Sequence, residues 1–363
     1  MNELIKIING FGTELLRLND NSCIKYRELK NAENRIIDSE RFKYYTGKTT
    51  PLGTEKHTHG TESVHETEFD YDKNNNIIRF FESGKIFIGY GYGTYIFEGL
   101  YDEYNIYDNI NPEEHLYKYD ERNRLISETI NGVSTQYVYD KSGNILVKRD
   151  NERTYVFNYR KNKLSSVTTV SDNKVETAVC AYDKKGFPKV YRNYYLNWYT
   201  NVRIKEFDDV YFSYDEDGNR IAKNDIVYIY EDDKLIKEYR KEHSIEYIHG
   251  INGIIGFKLD NKLYYYIKNP YGDIARIADE ADNIVAEYRY DAFGNHKVYN
   301  PYFTENNSPE FIGNINPIRY RGYYFDTETN LYLTNTDYFD PEICRYISSN
   351  TAFKPELNNQ YNN

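Results

Sequence analysis

The sequence predicts an all-β protein whose antiparallel hairpins form a winding sheet, and two observations lead to this prediction. The chain of 363 residues contains 42 tyrosines, and aromatic residues make up 17% of it although hydrophobic residues account for only 39%. Tyr suits a pleated, half-buried surface, because its ring supplies apolar area while its hydroxyl stays hydrated or finds a partner. The second observation is a short repeat, aromatic-x-Tyr-Asp-turn-apolar, that recurs between about residues 69 and 291.

The first 68 residues are the least regular part of the sequence. Segments such as ELIKIING and IKYRELKNAENRIIDSERF fit either eroded repeats that continue the sheet or a short helix. The clear repeats predict a sheet over residues 69–295, followed by a segment at 296–350 that we call the C-terminal block. The remaining residues, 351–363, are polar, and we expect this tail to be disordered.

Three histidines, His57, His59 and His65, precede the first clear repeat within KHTHGTESVHE. A His-x-His pair on a strand can ligate a metal from one face. The stretch is polar, contains Gly and has no nearby Cys, so a solvated loop is the better interpretation, and we predict no metal site and no cofactor. The tract GYGYG at 89–93 lacks the Gly-Lys-Ser/Thr of a phosphate loop, and its alternation indicates a strand.

The turn within each repeat has its own chemistry. Three residues after the Asp stands Asn or Gly, as a hairpin loop requires when its last residue adopts the left-handed conformation. The Asp at the loop entrance can accept a hydrogen bond from the backbone N–H two residues further on. The six Tyr-Asp pairs are residues 71–72, 119–120, 139–140, 182–183, 214–215 and 290–291, and the Asn or Gly positions are Asn75, Asn123, Gly143, Gly186, Gly218 and Gly294.

Side-chain alternation supports strands on both sides of each turn. Period two predicts that Tyr137 and Tyr139 share one face, and that Ile145 and Val147 share one face of the returning strand. Between Asp120 and Asp215 the spacing of the units stretches from 20 to 32 residues. Because a propeller or a strict solenoid would keep a tighter period, a continuous winding sheet fits better.

Charge, cysteine content and hydropathy exclude several classes of protein. A net charge of -11 and a pI near 5.3 disfavour a nucleic-acid binder, which needs a basic surface. The three cysteines lie far apart and predict no disulfide framework. The N-terminal residues lack the apolar core of a signal peptide, and no apolar run approaches the roughly 20 residues of a transmembrane helix.

Two later stretches, together with the repeats, resemble the Rhs/YD-repeat family and its repeat-associated C-terminal core region. They are YYYIKNPYGDIARIADEADNIVAEYRYDAFGN at 264–295 and NPIRYRGYYFDTETNLYLTNTDYFDPEICRYISS at 316–349. The resemblance implies a sheet wound into a spiral that closes, in full-length relatives, as a hollow shell around a cargo polypeptide, often a toxin. It also implies a toxin or effector polypeptide or a neighbouring shell protein as partner, and export or the cell surface as location.

In some relatives the C-terminal core acts as an aspartyl self-cleaving element, and the resemblance makes Asp340 the candidate catalytic residue. Asp340 and Pro341 match the pattern of that region. An aspartyl mechanism needs two carboxylates that share a proton, and Asn350 stands where a second Asp is common. We therefore expect poor self-cleavage or none. The positions that depart from the pattern are Asn330, Asp337, Cys344 and Asn350.

The predicted function is that of a structural shell segment of a polymorphic toxin or cell-contact system, contributing to encapsulation or presentation of a toxin cargo. The alternatives are an autocatalytic aspartyl element that uses Asp340, a carbohydrate- or cell-surface-binding module built on exposed Tyr rows, and a gene fragment without a present function. A winding sheet of this length supplies only an arc or cap of a shell. Its open edge favours strand addition from a partner or self-association.

Overall fold

The computed structural model describes most of the chain from residue 112 to residue 347, with gaps at 173, 200–202, 251–252, 270, 282 and 335–336. Upstream it describes the strands between residues 4 and 109 with one of their turns, and side chains at 28–30, 68–74 and 76–83. His57 and His59 lie in a strand and pair through their backbone with the next strand, where His65 faces His57. The predicted loop was therefore wrong. The side chains of these histidines lie outside the described residues, as do Asn350 and the tail.

The first sheet has fifteen strands. They are β1 (Leu4–Asn9), β2 (Gly12–Leu18), β3 (Ile24–Asn31), β4 (Ile36–Tyr44), β5 (Pro51–His59), β6 (Ser63–Tyr71), β7 (Ile77–Thr94), β8 (Tyr101–Asn109), β9 (Glu113–Tyr119), β10 (Leu125–Ile130), β11 (Val133–Tyr139), β12 (Ile145–Arg149), β13 (Thr154–Arg160), β14 (Lys163–Ser171) and β15 (Lys174–Val179).

The second sheet has fourteen strands, and a third small sheet has four. The second sheet contains β16 (Ala181–Tyr182), β17 (Pro188–Tyr191), β18 (Tyr194–Trp198), β19 (Ile204–Phe207), β20 (Val210–Tyr214), β21 (Arg220–Lys223), β22 (Ile226–Glu231), β23 (Lys234–Tyr239), β24 (Ser244–Gly250), β25 (Gly253–Leu259), β26 (Lys262–Lys268), β27 (Ile274–Asp279), β28 (Ile284–Tyr290) and β29 (His296–Tyr299). The third contains β30 (Tyr324–Asp326), β31 (Leu331–Leu333), β32 (Tyr338–Asp340) and β33 (Arg345–Tyr346).

Each sheet is an antiparallel meander in which strands pair in sequence order, except that β8 pairs only with β7. This arrangement confirms the all-β fold class predicted from the repeats. The described residues of the first 68 lie in strands, and GYGYG is part of β7. The described part of the chain contains one α-helix, α1 (Ile312–Ile315), and a 3-10 turn at Tyr320–Gly322. None of its helices has the length and apolar character needed to cross a bilayer.

The repeat turns adopt the predicted left-handed conformation. At the five described positions, φ is 57° for Asn123, 91° for Gly143, 103° for Gly186, 91° for Gly218 and 86° for Gly294, and Asn75 lies outside the described residues. The Asp carboxylate accepts the predicted N–H two residues on at Asp72, Asp120, Asp140 and Asp291. At Asp183 and Asp215 it accepts the N–H three residues on, from the Gly itself.

A β-bulge after the turn changes which side chains of the returning strand face inward. Tyr139 pairs with Ile145, but Val138 pairs with Val147, so the returning strand contains one extra residue. Val147 therefore lies on the outer face beside Val138, while Ile145 and Lys148 face inward and are buried. The prediction that Ile145 and Val147 share a face was wrong, because a bulge inserts one residue into the period-two alternation.

Three tyrosines that end an outgoing strand, Tyr119 and Tyr139 of Tyr-Asp pairs and Tyr159 of a degenerate unit, link their hairpin to the one before it. Tyr119 donates from its hydroxyl to the carbonyl of Ile77 at 2.9 Å, Tyr139 to Leu125 at 2.7 Å and Tyr159 to Ile145 at 2.8 Å. In each case the acceptor lies at the start of the returning strand of the preceding unit. Phe would keep the packing but lose this hydrogen bond, which explains why the repeat requires Tyr.

The inner face of the wall surrounds the C-terminal block. The hydroxyls of Tyr155, Tyr228, Tyr266 and Tyr288, on β13, β22, β26 and β28, donate to residues of that block. These strands lie far apart along the first two sheets, yet their inner faces all contact the same segment. The wall therefore bends around the block. Strands β24–β26 also bury their outer face, where Ile248, Ile255 and Tyr265 pack against Leu29 of β3.

Candidate functional site

The candidate site is the interface between the inner face of the wall and the C-terminal block, and we call it the docking interface. In the units that contain the bulge, the residue eight positions after the repeat Asp faces inward. It is charged in three units, at Glu128, Lys148 and Lys223, and these side chains are 1%, 5% and 3% exposed. A buried charge is costly unless it is paired. The block supplies partners for both lysines.

Asp326 of β30 lies at the centre of the first group of charges. Its carboxylate accepts from the Arg220 guanidinium at 2.5 Å and from Lys223 Nζ at 2.9 Å, and all three side chains are buried. Lys223 also contacts Glu328 at 2.7 Å. Burial raises the pKa of Asp326, but the charges of Arg220 and Lys223 outweigh it and hold the pKa below its ordinary value.

Aromatic rings enclose the Arg220 side chain. Its guanidinium carbon lies 4.9 Å from the ring centre of Tyr228 on the wall and 4.8 Å from that of Tyr324 on the block. Tyr324 donates at 2.8 Å to Glu238, a fully buried wall residue that also accepts from Arg240. Rings from both sides therefore surround one cation and exclude water from its ion pair.

Asp340 of β32 lies in the second group. One carboxylate oxygen accepts from the Tyr191 hydroxyl at 3.0 Å and from Arg192 at 2.8 Å. The other accepts the backbone N–H groups of Glu342 and Ile343 at 3.0 and 3.3 Å. The structure thus places the predicted catalytic residue in the docking interface, where both of its oxygens are engaged in holding the chain.

Glu342 continues this group. Its carboxylate pairs with Arg192 and accepts from the Tyr155 hydroxyl at 3.1 Å, while its carbonyl accepts from Lys148 Nζ at 3.0 Å. Burial raises the pKa of Glu342, yet the charge and hydrogen bond of Arg192 outweigh it and lower the pKa. Among the described residues, the donors to Asp340 are a hydroxyl, a guanidinium and backbone N–H groups. The second carboxylate of an aspartyl dyad is not among its hydrogen-bonding partners there.

The positions that depart from the family pattern are accommodated locally. Asn330 and Cys344 both have positive φ, 57° and 59°, which accounts for the Gly usual at each site. The Cys344 thiol is buried and donates weakly to the carbonyl of Pro341 at 3.7 Å. Asp337 caps the start of β32, where its carboxylate accepts the N–H of Tyr338 at 2.7 Å.

A cleft of about 480 Å³ opens beside Asp340, between β12, β13, β29 and the block. Its lining includes Lys148, Arg153 and Arg319 together with Asp291 and Glu342, so both signs of charge are present. A lining dominated by charged and polar groups, with few apolar residues such as Val298 and Phe325, does not match a typical small-molecule pocket. No group of three or more His, Cys, Asp or Glu side chains within the described ranges could hold a metal ion.

His296 anchors the other side of the block. Its Nε2 accepts from Arg319, so the neutral ring carries its proton on Nδ1 and donates to the Tyr332 hydroxyl at 2.8 Å. Tyr332 in turn donates to the carbonyl of Gly294 at 3.0 Å. Burial, with the nearby charge of Arg319, lowers the pKa of His296 well below its ordinary value.

A further set of buried charges joins β9 and β10 to the turn between β28 and β29, and we call it the seam. His115 of β9 contacts Glu113 at 2.8 Å and Glu128 of β10 at 3.4 Å, and Glu128 accepts the N–H of Ala292 at 3.0 Å. Burial lowers the pKa of His115, but the hydrogen bonds and charges of Glu113 and Glu128 outweigh it and raise the pKa to about 10. The ring is therefore an imidazolium at neutral pH.

Sequence reasoning named Asp340 but missed Arg192, Arg220, Lys223 and Asp326. Their partners lie more than one hundred positions away in sequence, as the separation of 106 between Arg220 and Asp326 shows. A usable signal was present at Lys148 and Lys223. A charged residue at the eighth position after a repeat Asp, on the face that the bulge turns inward, marks a residue that needs a buried partner.

The fold and the docking interface define the class of protein. It is a repeat protein whose antiparallel Tyr-Asp hairpins form a bent β-wall, and this wall holds its own C-terminal block by buried ion pairs. The chain is 30% identical over 235 residues to the tRNA3(Ser)-specific nuclease WapA of Bacillus spizizenii and 31% identical over 235 residues to the tRNA nuclease WapA of Bacillus subtilis. Each match covers 59% of this chain, which spans only 9% of the length of either relative. No family model matches the chain.

In structure the chain resembles the crystal structure of TcdB2-TccC3-Cdc42, with a TM-score of 0.51 and 13% identity. The match covers 97% of this chain and 21% of that one. At this identity the likeness shows the fold alone. The sequence similarity supports the resemblance to the Rhs/YD-repeat family, and the structural similarity agrees with it in fold alone.

Removing Asp326 tests the first group of charges. We expect Asp326→Ala to lower the free energy of unfolding by about 3–5 kcal/mol, because buried Arg220 loses its carboxylate partner and buried Lys223 keeps only the half-exposed Glu328. Glu305→Ala, which breaks an exposed pair with Lys297, is the matched control and should cost at most about 1 kcal/mol. Urea denaturation followed by circular dichroism measures both. Equal effects of the two changes would contradict the importance of the buried pair.

The seam should depend on pH through His115. Its pKa is raised from about 6.5 in the unfolded chain to about 10 in the fold. Its contribution to stability is therefore fully present below pH 6.5 and is lost as the pH rises through about 10. We expect nitrogen NMR of the imidazoles to show His115 still protonated at pH 8 and His296 already neutral at pH 6. Titration of His115 near 6.5 would refute the buried ion pair.

Proposed function

We propose that this chain is a shell segment of an Rhs/YD-repeat toxin system, whose wall holds the C-terminal block and so helps to encapsulate or present a toxin polypeptide. The observation that supports this role best is the paired charge on the inner face. Lys148, Arg192, Arg220 and Lys223 of the wall all bond to residues of the block. Those pairs specify one seated position for the block.

Charge pairs suit this role better than a purely apolar contact. An apolar interface tolerates small slips, whereas a buried charge displaced from its partner is left desolvated and unpaired. In the family resemblance the toxin follows the core region, so a block seated in one position would set where the next segment leaves the wall. We assign residues 69–295 to the wall, 296–350 to the block and 1–68 to a continuation of the wall.

The described interior has little room for cargo. The clefts beside Asp340 and beside Arg220 measure about 480 and 450 Å³, a size suited to a small molecule and far below that of a folded domain. Enclosure of a toxin would therefore use further wall beyond these residues. The nuclease activity named for WapA belongs to a protein of which this chain spans 9%, and the proposal concerns the wall alone.

Retention of the block after a cut in the chain tests the shell role. Residues 307–310 are exposed, so a protease site inserted there, with a fluorescent protein attached after residue 363, allows the part of the block after the cut to be separated covalently from the wall. We expect the cut fragment to co-elute with the wall in gel filtration at physiological salt. It should be released when Asp326→Ala is also present and retained with Glu305→Ala. Immediate separation in the otherwise unchanged chain would overturn the proposal.

We propose a structural role for Asp340, with self-cleavage as the alternative. The pairing of both carboxylate oxygens supports this role, since a catalytic acid or base needs a free oxygen to reach its substrate. We expect the purified chain to keep its full mass on incubation. Asp340→Asn should weaken the pairing with Arg192 and leave the mass pattern unchanged. A discrete C-terminal product that disappears in Asp340→Asn would establish cleavage instead.

A further inference from the structure

Strand β15 ends the first sheet, and in the part of the chain that the structure describes no strand pairs with its outer edge. Its inner edge pairs with β14, from Ser171 opposite Lys174 to Ser166 opposite Val179. The strand reads KVETAV, and the four residues from Lys174 to Thr177 are exposed. An exposed edge of regular strand with β-branched residues is a template for the addition of another strand.

The backbone polar groups of β15 alternate between its two edges. Cys180 donates its N–H to the carbonyl of Ser165 at 2.8 Å, so the even-numbered residues of β15 bond toward β14. The odd-numbered residues face outward. Val179 confirms this alternation, because its N–H and carbonyl bond to Asn193 on the outer side at 2.8 and 3.0 Å. Within the described ranges, Val175 and Thr177 have no backbone partner on that side.

We propose that this edge is a dimerisation site, at which β15 of one copy pairs antiparallel with β15 of a second copy about a twofold axis through Val175. The N–H and carbonyl of Val175 would exchange two hydrogen bonds with the same groups of the other copy. Thr177 would extend the ladder toward the beginning of the opposite strand. This inference rests on the edge of β15 and does not depend on the proposed shell function.

Charge complementarity favours a second copy of this chain as the partner of β15, and it favours one register of the two strands. Lys174 and Glu176 lie on one face of β15, 2.5 Å apart, and their side chains are 68% and 62% exposed. A twofold axis through Val175 places Lys174 of each copy directly opposite Glu176 of the other. An axis through Glu176 would instead place like charges opposite each other, which is unfavourable. An axis through Thr177 would require Val179, whose outward groups already bond to Asn193.

The resulting interface is isologous and small. Outward-facing Val175, which is 68% exposed, would meet Val175 of the second copy on the face opposite to the charge pairs. A contact of a single strand pair lies at the lower end of interface sizes, so we expect a reversible dimer with Kd on the order of micromolar.

Charge reversal in the full-length chain, followed by sedimentation velocity over a range of concentrations, tests the proposal. Lys174→Glu and Glu176→Lys should each raise Kd at least about tenfold, because each replaces two attractive pairs by two repulsive ones. The double variant K174E/E176K should restore the dimer. An equimolar mixture of the two single variants should form a heterodimer. Lys184→Glu, on an exposed turn, is the charge-matched control and should leave Kd unchanged.

A backbone change separates strand pairing from a general effect of charge. Thr177→Pro removes an N–H that the β14 ladder does not use, so the fold should persist by circular dichroism while the dimer is lost. A chain that remains monomeric at every concentration would overturn the proposal. So would a dimer that Lys174→Glu leaves intact, or a double variant that fails to restore association.

Discussion

The bulge that follows five of the six repeat turns is the constraint on which the rest of the structure depends. A plain two-residue alternation would bury the first and third residues of a returning strand, and the charges eight positions after the Asp would face solvent. The extra residue moves that position to the inner face. In these units the bulge directly follows the turn that the Asp and the left-handed Asn or Gly form. The strand pairing after the turn thus determines which charges the wall presents to the block.

The interior of this protein combines aromatic rings with buried ion pairs. Tyr rings supply buried area together with Phe and Ile side chains. The Tyr hydroxyls also satisfy carboxylates and carbonyls that would otherwise be desolvated. Arg220 shows how the two work together, since its guanidinium stacks against Tyr228 and Tyr324 and pairs with Asp326. Such an interior favours one arrangement over many similar ones, because displaced charges have no alternative partner nearby.

The sequence predicted the fold class and the turns, because both depend on residues close together in the chain. Asp140 and Gly143 define a hairpin by themselves, and Tyr content favours strands over helices. The face of Val147 was predicted wrongly, since a bulge depends on the pairing of two strands. The histidines near residue 57 were assigned to a loop because their strands lack apolar alternation. The partners of Arg192 and Arg220 could not be found, as they are brought together only when the wall bends around the block.

Where a Tyr donates a hydrogen bond to the preceding hairpin, the junction between the two hairpins is modular. Tyr139 bonds to the carbonyl of Leu125 and Tyr159 to that of Ile145, and a backbone carbonyl is available whatever side chain the acceptor residue carries. Any hairpin whose returning strand presents this backbone carbonyl can therefore precede any hairpin whose outgoing strand ends in Tyr. Duplication or loss of whole hairpins in a gene would leave every junction intact, so such walls can change length in evolution without a redesign of their joints.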